Sequence, residues 1–319
     1  PGQSKPAVWK QWLDHGEKKL EQNPTMQVFS ASPNDGWASG HCACENCRAW
    51  DHPKGEPRQF HWESGNEVRP ALADRHVTFA NRLAGLLKQR YPDKAYYVLM
   101  LAYGHSRPAP VKAVPADNVI MVSVANFFGR SNDDDRGSTR GTKHRDQFAT
   151  WGEVAPHLMW RPNTGSPAGW QQGLPDVSMT QLAEDFRFVA DHHCIGLYVD
   201  SVWEHWATRG PQYYLMAQLA WNPRLDPHVV LDDYYHRGFG PAAEHVQAYF
   251  DVFEKARQAH VEKHGGRAGL SKFTELYTAD LLKSAKKHLD LASAAVQDGP
   301  AVYRRRVAFI RAGFDYTHL

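Results

Sequence analysis

The chain has 319 residues, 42% of them hydrophobic and 23% charged, a balance that supplies a sizeable core and argues against intrinsic disorder. A formal net charge of +2 with no long basic run leaves no electrostatic footprint for nucleic acid. No apolar run is long enough to span a bilayer, so a membrane span is not expected. What stands out is the aromatic share, 12% with 11 Trp and 13 Tyr. Such side chains offer flat apolar faces with polar edges, which suit sugar rings as well as cores.

Pro6 to Gln22 sets Val8, Trp9, Trp12, Leu13 and Leu20 among Lys and Glu, a pattern that predicts an amphipathic helix. Asn23-Pro24 ends it and feeds Met26, Val28 and Phe29, an apolar run that predicts a buried strand. Ser32-Pro33-Asn34-Asp35-Gly36 stops that strand, because proline cannot donate to a ladder and glycine permits a sharp exit. Asp35 therefore falls just past the carboxyl end of a strand, where parallel α/β proteins bind ligands. Capping the turn is its plainer role.

Next comes His41-Cys42-Ala43-Cys44-Glu45-Asn46-Cys47, which holds three of the 4 cysteines, too few for a disulfide scaffold. Thiolates and an imidazole suit zinc, but the spacing is not the paired two-spacer pattern of fingers and ribbons. Adjacent ligands such as His41 and Cys42 rarely reach one ion together. The run reads as a structural loop, with a disulfide as one way of closing it, ahead of a metal site.

Asp51 to Arg69 is polar and reads as an irregular loop, with a second acid beside an aromatic at Trp62-Glu63. Pro70 to Arg90 has helical spacing and is ended by Tyr91-Pro92-Asp93. Tyr96–Tyr103 and Asn118–Ala125 are nearly continuous apolar runs, as in strands buried on both faces of a parallel sheet. Gly129 to Lys143, rich in Gly, Asp and Arg, reads as a mobile loop. His157–Trp160 is a weaker strand leading into Arg161-Pro162-Asn163. A helix from near Ser178, with Met179, Leu182, Phe186 and Val189 on one face, precedes a strand over Cys194–Val202. Beyond Pro211 the pattern is wholly helical, with periodic runs over 226–264, 274–297 and 302–319.

About five strands alternating with helices predict an α/β fold of (β/α)8 TIM-barrel type. Five units do not close a barrel, which usually needs ~250 residues. The chain is therefore expected to carry only the later strands, over 1–210, followed by a helical region over 211–319. It begins at Pro1 rather than Met, which fits removal of a leader or of an upstream part of a larger protein.

Asp35, Asp200 and Glu204 sit at or beyond strand ends. Glycoside hydrolysis needs two acidic groups, or one acid and the substrate's own acetamide, to protonate the leaving oxygen and stabilise an oxocarbenium-like centre. Glu204 lies within Val202-Trp203-Glu204-His205-Trp206, where burial against indole raises a carboxyl toward a general acid's range. Trp203 and Trp206 would line a sugar subsite. The plainer alternative pairs Glu204 with an arginine and puts both tryptophans in the core. Asp200 would orient substrate or support the site, and Asn34 would orient an N-acetyl group beside Asp35. His105, Asn126, Trp160, Arg161 and Asn163 follow the other strands and are candidate substrate contacts by position.

Three motif groups carry a family resemblance. They are Ser32-Pro33-Asn34-Asp35-Gly36 with the cysteine run, Val77-Thr78-Phe79-Ala80-Asn81-Arg82-Leu83, and Gln212-Tyr213-Tyr214-Leu215 with Leu219-Ala220-Trp221-Asn222-Pro223 and Gly238-Phe239-Gly240-Pro241-Ala242-Ala243. Together they resemble the bacterial domain of unknown function 4838, a group associated with glycoside hydrolase family 163. The resemblance implies a (β/α)8 catalytic domain followed by helices, distantly similar to α-glucuronidases and β-N-acetylhexosaminidases. It also implies a periplasmic or secreted role with endo-β-N-acetylglucosaminidase action on N-glycans. Members usually carry an N-terminal domain and early barrel strands that this chain lacks, so the missing N-terminal part of the same protein is an expected partner. Many relatives follow the late acid with Gln-Gly where this chain has His205-Trp206, a departure that bears on the substrate.

The combined expectation is a glycoside hydrolase acting on a complex or N-acetylated glycan, with Asp35 and Glu204 as an acidic pair facing one cleft. No cofactor and no metal is called for. A noncatalytic carbohydrate-binding protein or inactive barrel remnant is the rival reading, and a zinc-dependent hydrolase built on the cysteine run is a third.

Overall fold

The computed structural model describes residues 2–33, 41–62, 65–127, 130–131, 136–162, 173–200, 202, 205–265, 267–268 and 273–318. In chain order it begins with α1 (Pro6–Gln22), β1 (Val28–Ser30), α2 (Glu45–Arg48), β2 (Pro57–Trp62), β3 (Gly65–Pro70), α3 (Ala73–Arg90), β4 (Tyr97–Ala102) and β5 (Val119–Ser123). It continues with β6 (Arg130–Ser131), α4 (Arg136–Val154), β7 (His157–Trp160), α5 (Met179–Asp191) and β8 (Cys194–Leu197). The remainder is α6 (Trp206–Trp221), α7 (Pro227–Phe239), α8 (Ala243–His264), β9 (Arg267–Ala268), α9 (Phe273–Leu276), α10 (Ala279–Ala295) and α11 (Ala301–His318).

Five of the strands form one parallel sheet in the order β1-β4-β5-β7-β8. Apolar alternation explains the pairing. Val98, Met100 and Ala102 of β4 are fully buried, and Val98 lies opposite Val119 while Met100 lies opposite Met121. The order follows the chain without reversal, and every strand leaves the sheet at the same edge. The fold class is thus α/β, and the described strands make an open sheet rather than a closed barrel.

The chain separates into two compact units. The first comprises Pro1–Ala125, Arg145–Pro162 and Asp191–Tyr198, and so holds the whole parallel sheet. The second comprises Asn126–His144, Asn163–Ala190 and Val199–Leu319. The division crosses the chain several times, whereas the sequence reading makes a single cut at 210.

Local chemistry accounts for the departures from expectation. The stretch read as an irregular loop contains the antiparallel hairpin β2–β3, with Pro57 paired to Pro70 and Trp62 to Gly65. Its residues Gly65 to Val68 are exposed, so they show no apolar alternation, and the prolines sit at the ends, where a missing donor costs little. The stretch read as a mobile loop contains the start of α4, whose Gly137, Ser138 and Gly141 resemble turn chemistry. Phe148 and Trp151, both fully buried, anchor the later turns of that helix. β8 ends at Leu197, short of the expected Val202. Helix α6 begins before Pro211, which sits in its second turn and forfeits a single backbone bond there.

Side-chain caps start α7 and α10 of the second unit, and a glycine ends α8. The Asp226 side chain accepts from His228 N at 2.8 Å ahead of Pro227, and Thr278 accepts from Leu281 N at 3.3 Å. Gly265, at φ 67°, ends α8 in the left-handed region. Tyr235, Tyr249, Phe250, Phe253, Leu289 and Phe314 are all buried and form this unit's core.

A buried carboxylate fixes the connection between β4 and β5. Asp74, 5% exposed in the first turn of α3, accepts backbone N–H bonds from Val111 at 2.9 Å and from Lys112 and Ala113, both at 2.8 Å. Asp74→Ala should cost about 2–3 kcal/mol or more, because three backbone donors lose a charged acceptor. Urea unfolding of the variant checks this, and a midpoint equal to wild type would refute the anchoring role.

Candidate functional site

The carboxyl edge of the parallel sheet gathers the polar residues of the first unit. Ser32, just past β1, accepts from Leu101 N at 3.1 Å, which stitches the departing chain to β4. After β4 the chain passes Tyr103 into a 3-10 turn, Gly104–Ser106, whose Gly104 lies at φ 54°. Glycine tolerates that conformation without a Cβ penalty. The Ser106 hydroxyl donates to the Tyr103 carbonyl at 3.0 Å and closes the turn.

His105 is thereby directed inward and is 8% exposed. Its Nε2 lies 2.7 Å from the Gln59 carbonyl on β2; a carbonyl only accepts, so Nε2 carries a proton. The ring rests on Phe60 with centroids 4.1 Å apart, and the His105 carbonyl accepts from Leu72 N at 2.9 Å, fixing the start of α3. Two more imidazoles complete the cluster. His41 has its ring centroid 5.4 Å from that of His105 and 6.2 Å from that of His76, which lies buried in the first turn of α3.

Burial, reinforced by His105 and Arg75, pushes the His41 imidazole down to about 4. Burial, with His41, Arg75 and His105 adding to it, pushes His76 to about 3. Both rings are neutral at ordinary pH. The Nδ1 atoms of His76 and His105 are buried with no hydrogen-bond partner among the described residues.

Arg75, 1% exposed, backs this cluster. Its Nε donates to Asp51 Oδ1 at 2.7 Å, its Nη2 donates to the other carboxylate oxygen, and its Nη1 donates to the Cys42 carbonyl at 2.7 Å. A buried bidentate pair of this kind holds the cysteine loop from behind. Of the ways left open for closing this loop, the structure shows free thiols: the sulfurs of Cys42, Cys44 and Cys47 lie within 4.8 Å of one another. The backbone N–H of Cys47, followed by the Cys42 and Cys47 thiols, brings the Cys44 thiol down to about 7.

Further along the edge, Arg161 follows β7. Its N–H donates to the Ser123 carbonyl at 2.9 Å, and its guanidinium lies 5.4 Å from the centroid of Tyr198, which follows β8 and is 55% exposed. Trp160 requires a correction. It is 1% exposed and its Nε1 donates to the Ala125 carbonyl at 2.8 Å, so it is a core residue with no face for a sugar.

In the second unit, the Asn126 main chain is held by buried His144, whose Nδ1 lies 2.8 Å from the Asn126 carbonyl. Asp200 is exposed. Trp206 is 50% exposed, stands edge-on to Tyr213 at 5.0 Å, and lines a cleft of about 480 Å³ with Tyr214, Tyr234 and Arg306. Asn34, Asp35, Glu63, Asn163, Trp203 and Glu204 lie outside the described residues.

A model of a protein family described as a domain of unknown function, DUF4838, matches residues 1–251. The chain belongs to the DUF4838 family. No curated protein matches it. The matched span contains the parallel sheet, the histidine cluster and the cysteine loop of this DUF4838 member.

Two groups escaped the sequence reading. His76 continues the buried stripe Leu72, Phe79, Ala80, Leu83 and Leu87 of α3, so helical spacing alone marked it as an interior histidine. In the second unit, α5, α7 and α8 border a cleft of about 880 Å³ lined by Arg187, Asp226, Asp232, Asp251 and Lys255. Burial holds the Asp251 carboxyl above its usual range against the opposing pull of Lys255. No spacing rule singles that residue out within α8.

The neutral histidines set an acid dependence. Below about pH 6.5 the unfolded chain takes up protons that the folded chain refuses, so stability falls toward pH 4 for His41 and toward pH 3 for His76. The slope approaches about 1.4 kcal/mol per pH unit for each ring. Thermal melts between pH 7 and pH 4 should record this loss, and His76→Gln should flatten it. Identical slopes for the two proteins would remove His76 from the account.

Proposed function

We propose that this DUF4838 chain is the later part of a (β/α)8 glycoside hydrolase acting on a complex or N-acetylated glycan in the periplasm or outside the cell. The observation that carries the reading is the unbroken order of the five parallel strands. Doubly wound sheets reverse their strand order and bind ligands at the reversal, whereas barrels run in chain order and bind at the carboxyl face. Here no reversal occurs, and the candidate polar residues fall after strand ends. Asn34 and Asp35 follow β1, His105 follows β4, Asn126 follows β5, Arg161 and Asn163 follow β7, and Asp200 and Glu204 follow β8.

In this reading Glu204 donates a proton to the glycosidic oxygen, with Trp203 raising its carboxyl toward a general acid's range. Asp35 supplies the second acidic function, and Asn34 and Asp200 orient the substrate. An accessible indole face at Trp206 suits stacking on a sugar ring. The buried Nδ1 atoms of His76 and His105 belong to the support of the site rather than to proton transfer, since neither ring reaches solvent freely.

Glu204→Gln and Asp35→Asn should each lower turnover by about 100-fold or more while leaving the melting temperature unchanged. Product analysis on N-glycans and aryl glycosides, run beside calorimetric titration with the same sugars, checks this. Wild-type rates in both variants would end the assignment. Sugar binding by the wild-type protein with no product would favour the noncatalytic reading instead.

A further inference from the structure

Three thiols converge on one point in the first unit, and the backbone around them is built to hold them there. Cys44 precedes α2 in an extended conformation (φ −66°, ψ 153°), and its carbonyl accepts from the N–H groups of Cys47 at 3.1 Å and Arg48 at 3.0 Å. That turn brings the second sulfur of Cys44-Glu45-Asn46-Cys47 back beside the first. Cys42 joins them from the extended side, and its carbonyl is pinned by Arg75, itself locked to Asp51.

The N-terminal segment closes the far side. A Cβ on Gly2 would stand 3.2 Å from the sulfurs of Cys42 and Cys47 and 3.6 Å from that of Cys44, so the Gly2 backbone lies close against the cluster and a side chain there would crowd it. Ser4 N donates to the Cys47 sulfur at 3.4 Å, and the Ser4 hydroxyl lies 3.2 Å from it. Backbone donors aimed at a sulfur, together with an ion pair that orients a ligand loop, are the outer-shell features of thiolate metal sites.

We propose that Cys42, Cys44 and Cys47 bind a single zinc ion, which ties the loop leaving β1 to the segment preceding α1. Zn–S bonds of about 2.3 Å at a tetrahedral angle set sulfurs ~3.8 Å apart, a small contraction from the observed limit of 4.8 Å. Soft thiolates select zinc over magnesium or calcium. The fourth position is left to solvent. His41 does not fill it, because its ring is turned to Phe60, His76 and His105. The ion cross-links Cys42 to the turn of Cys44 and Cys47 that begins α2.

Elemental analysis of the full chain purified without chelator should find one zinc per chain. Cobalt(II) added to the reduced, metal-free protein should give thiolate-to-cobalt charge-transfer and tetrahedral d–d bands that saturate at one equivalent. Cys44→Ser, at the exposed ligand, should weaken metal binding by roughly 100-fold or more, and Cys194→Ser should leave it unchanged. A chelator should lower the melting temperature of wild type but not that of Cys44→Ser. Three results would each overturn the site: no zinc or cobalt uptake by the reduced protein, wild-type affinity in Cys44→Ser, or a disulfide among the three cysteines as isolated, detected by alkylation and mass spectrometry.

Discussion

Parallel backbone pairing is the constraint on which the first unit depends. Strands that run the same way must return by crossovers, and each crossover must be long enough to carry the chain back along the sheet. Helix α3 lies in the connection from β1 to β4, α4 in that from β5 to β7 and α5 in that from β7 to β8, and α3 packs against β4 and β5 of a sheet whose strands are apolar on both sides. The same geometry delivers every strand's exit to one edge. The segments that follow the strands therefore lie along that edge.

That edge is stiffened by polar interactions in the interior. Asp74 gathers three backbone donors, Arg75 bridges Asp51 to the cysteine loop, and the His105 carbonyl caps Leu72 at the entry to α3. The first turn of α3 is buried from Ala73 to Val77, an unusual place for an acid, an arginine and a histidine in succession. Each is tolerated only because its partners are built around it. Removing a partner would strand a buried polar group, which costs more than the bond itself contributes.

The second unit relies on different physics. Its helices are joined by capped turns and held by an aromatic core around Tyr249, which meets Phe250, Phe253 and Phe314 edge-on. Its clefts are lined by mixed charge beside α8 and by aromatic rings beside Trp206. Trp206, half-exposed at the start of α6, packs one edge against Tyr213 and turns the rest of its indole to the second of these clefts.

The sequence by itself determined the elements whose pattern follows from burial: α1, α3, β4, β5 and β7 fall where periodicity puts them, because a buried face must be apolar at the element's own spacing. Tertiary structure alone decided the rest. The hairpin β2–β3 is exposed over Gly65 to Val68 and is met by the distant His105, while the start of α4 is written in turn-like residues, so no local signal marks either. Trp160 and Trp206 are the same residue type after comparable signals, yet one is sealed under a carbonyl and the other opens a cleft. The meeting of Cys42, Cys44 and Cys47 with Gly2 joins positions far apart in the chain, and only the folded backbone brings them into contact.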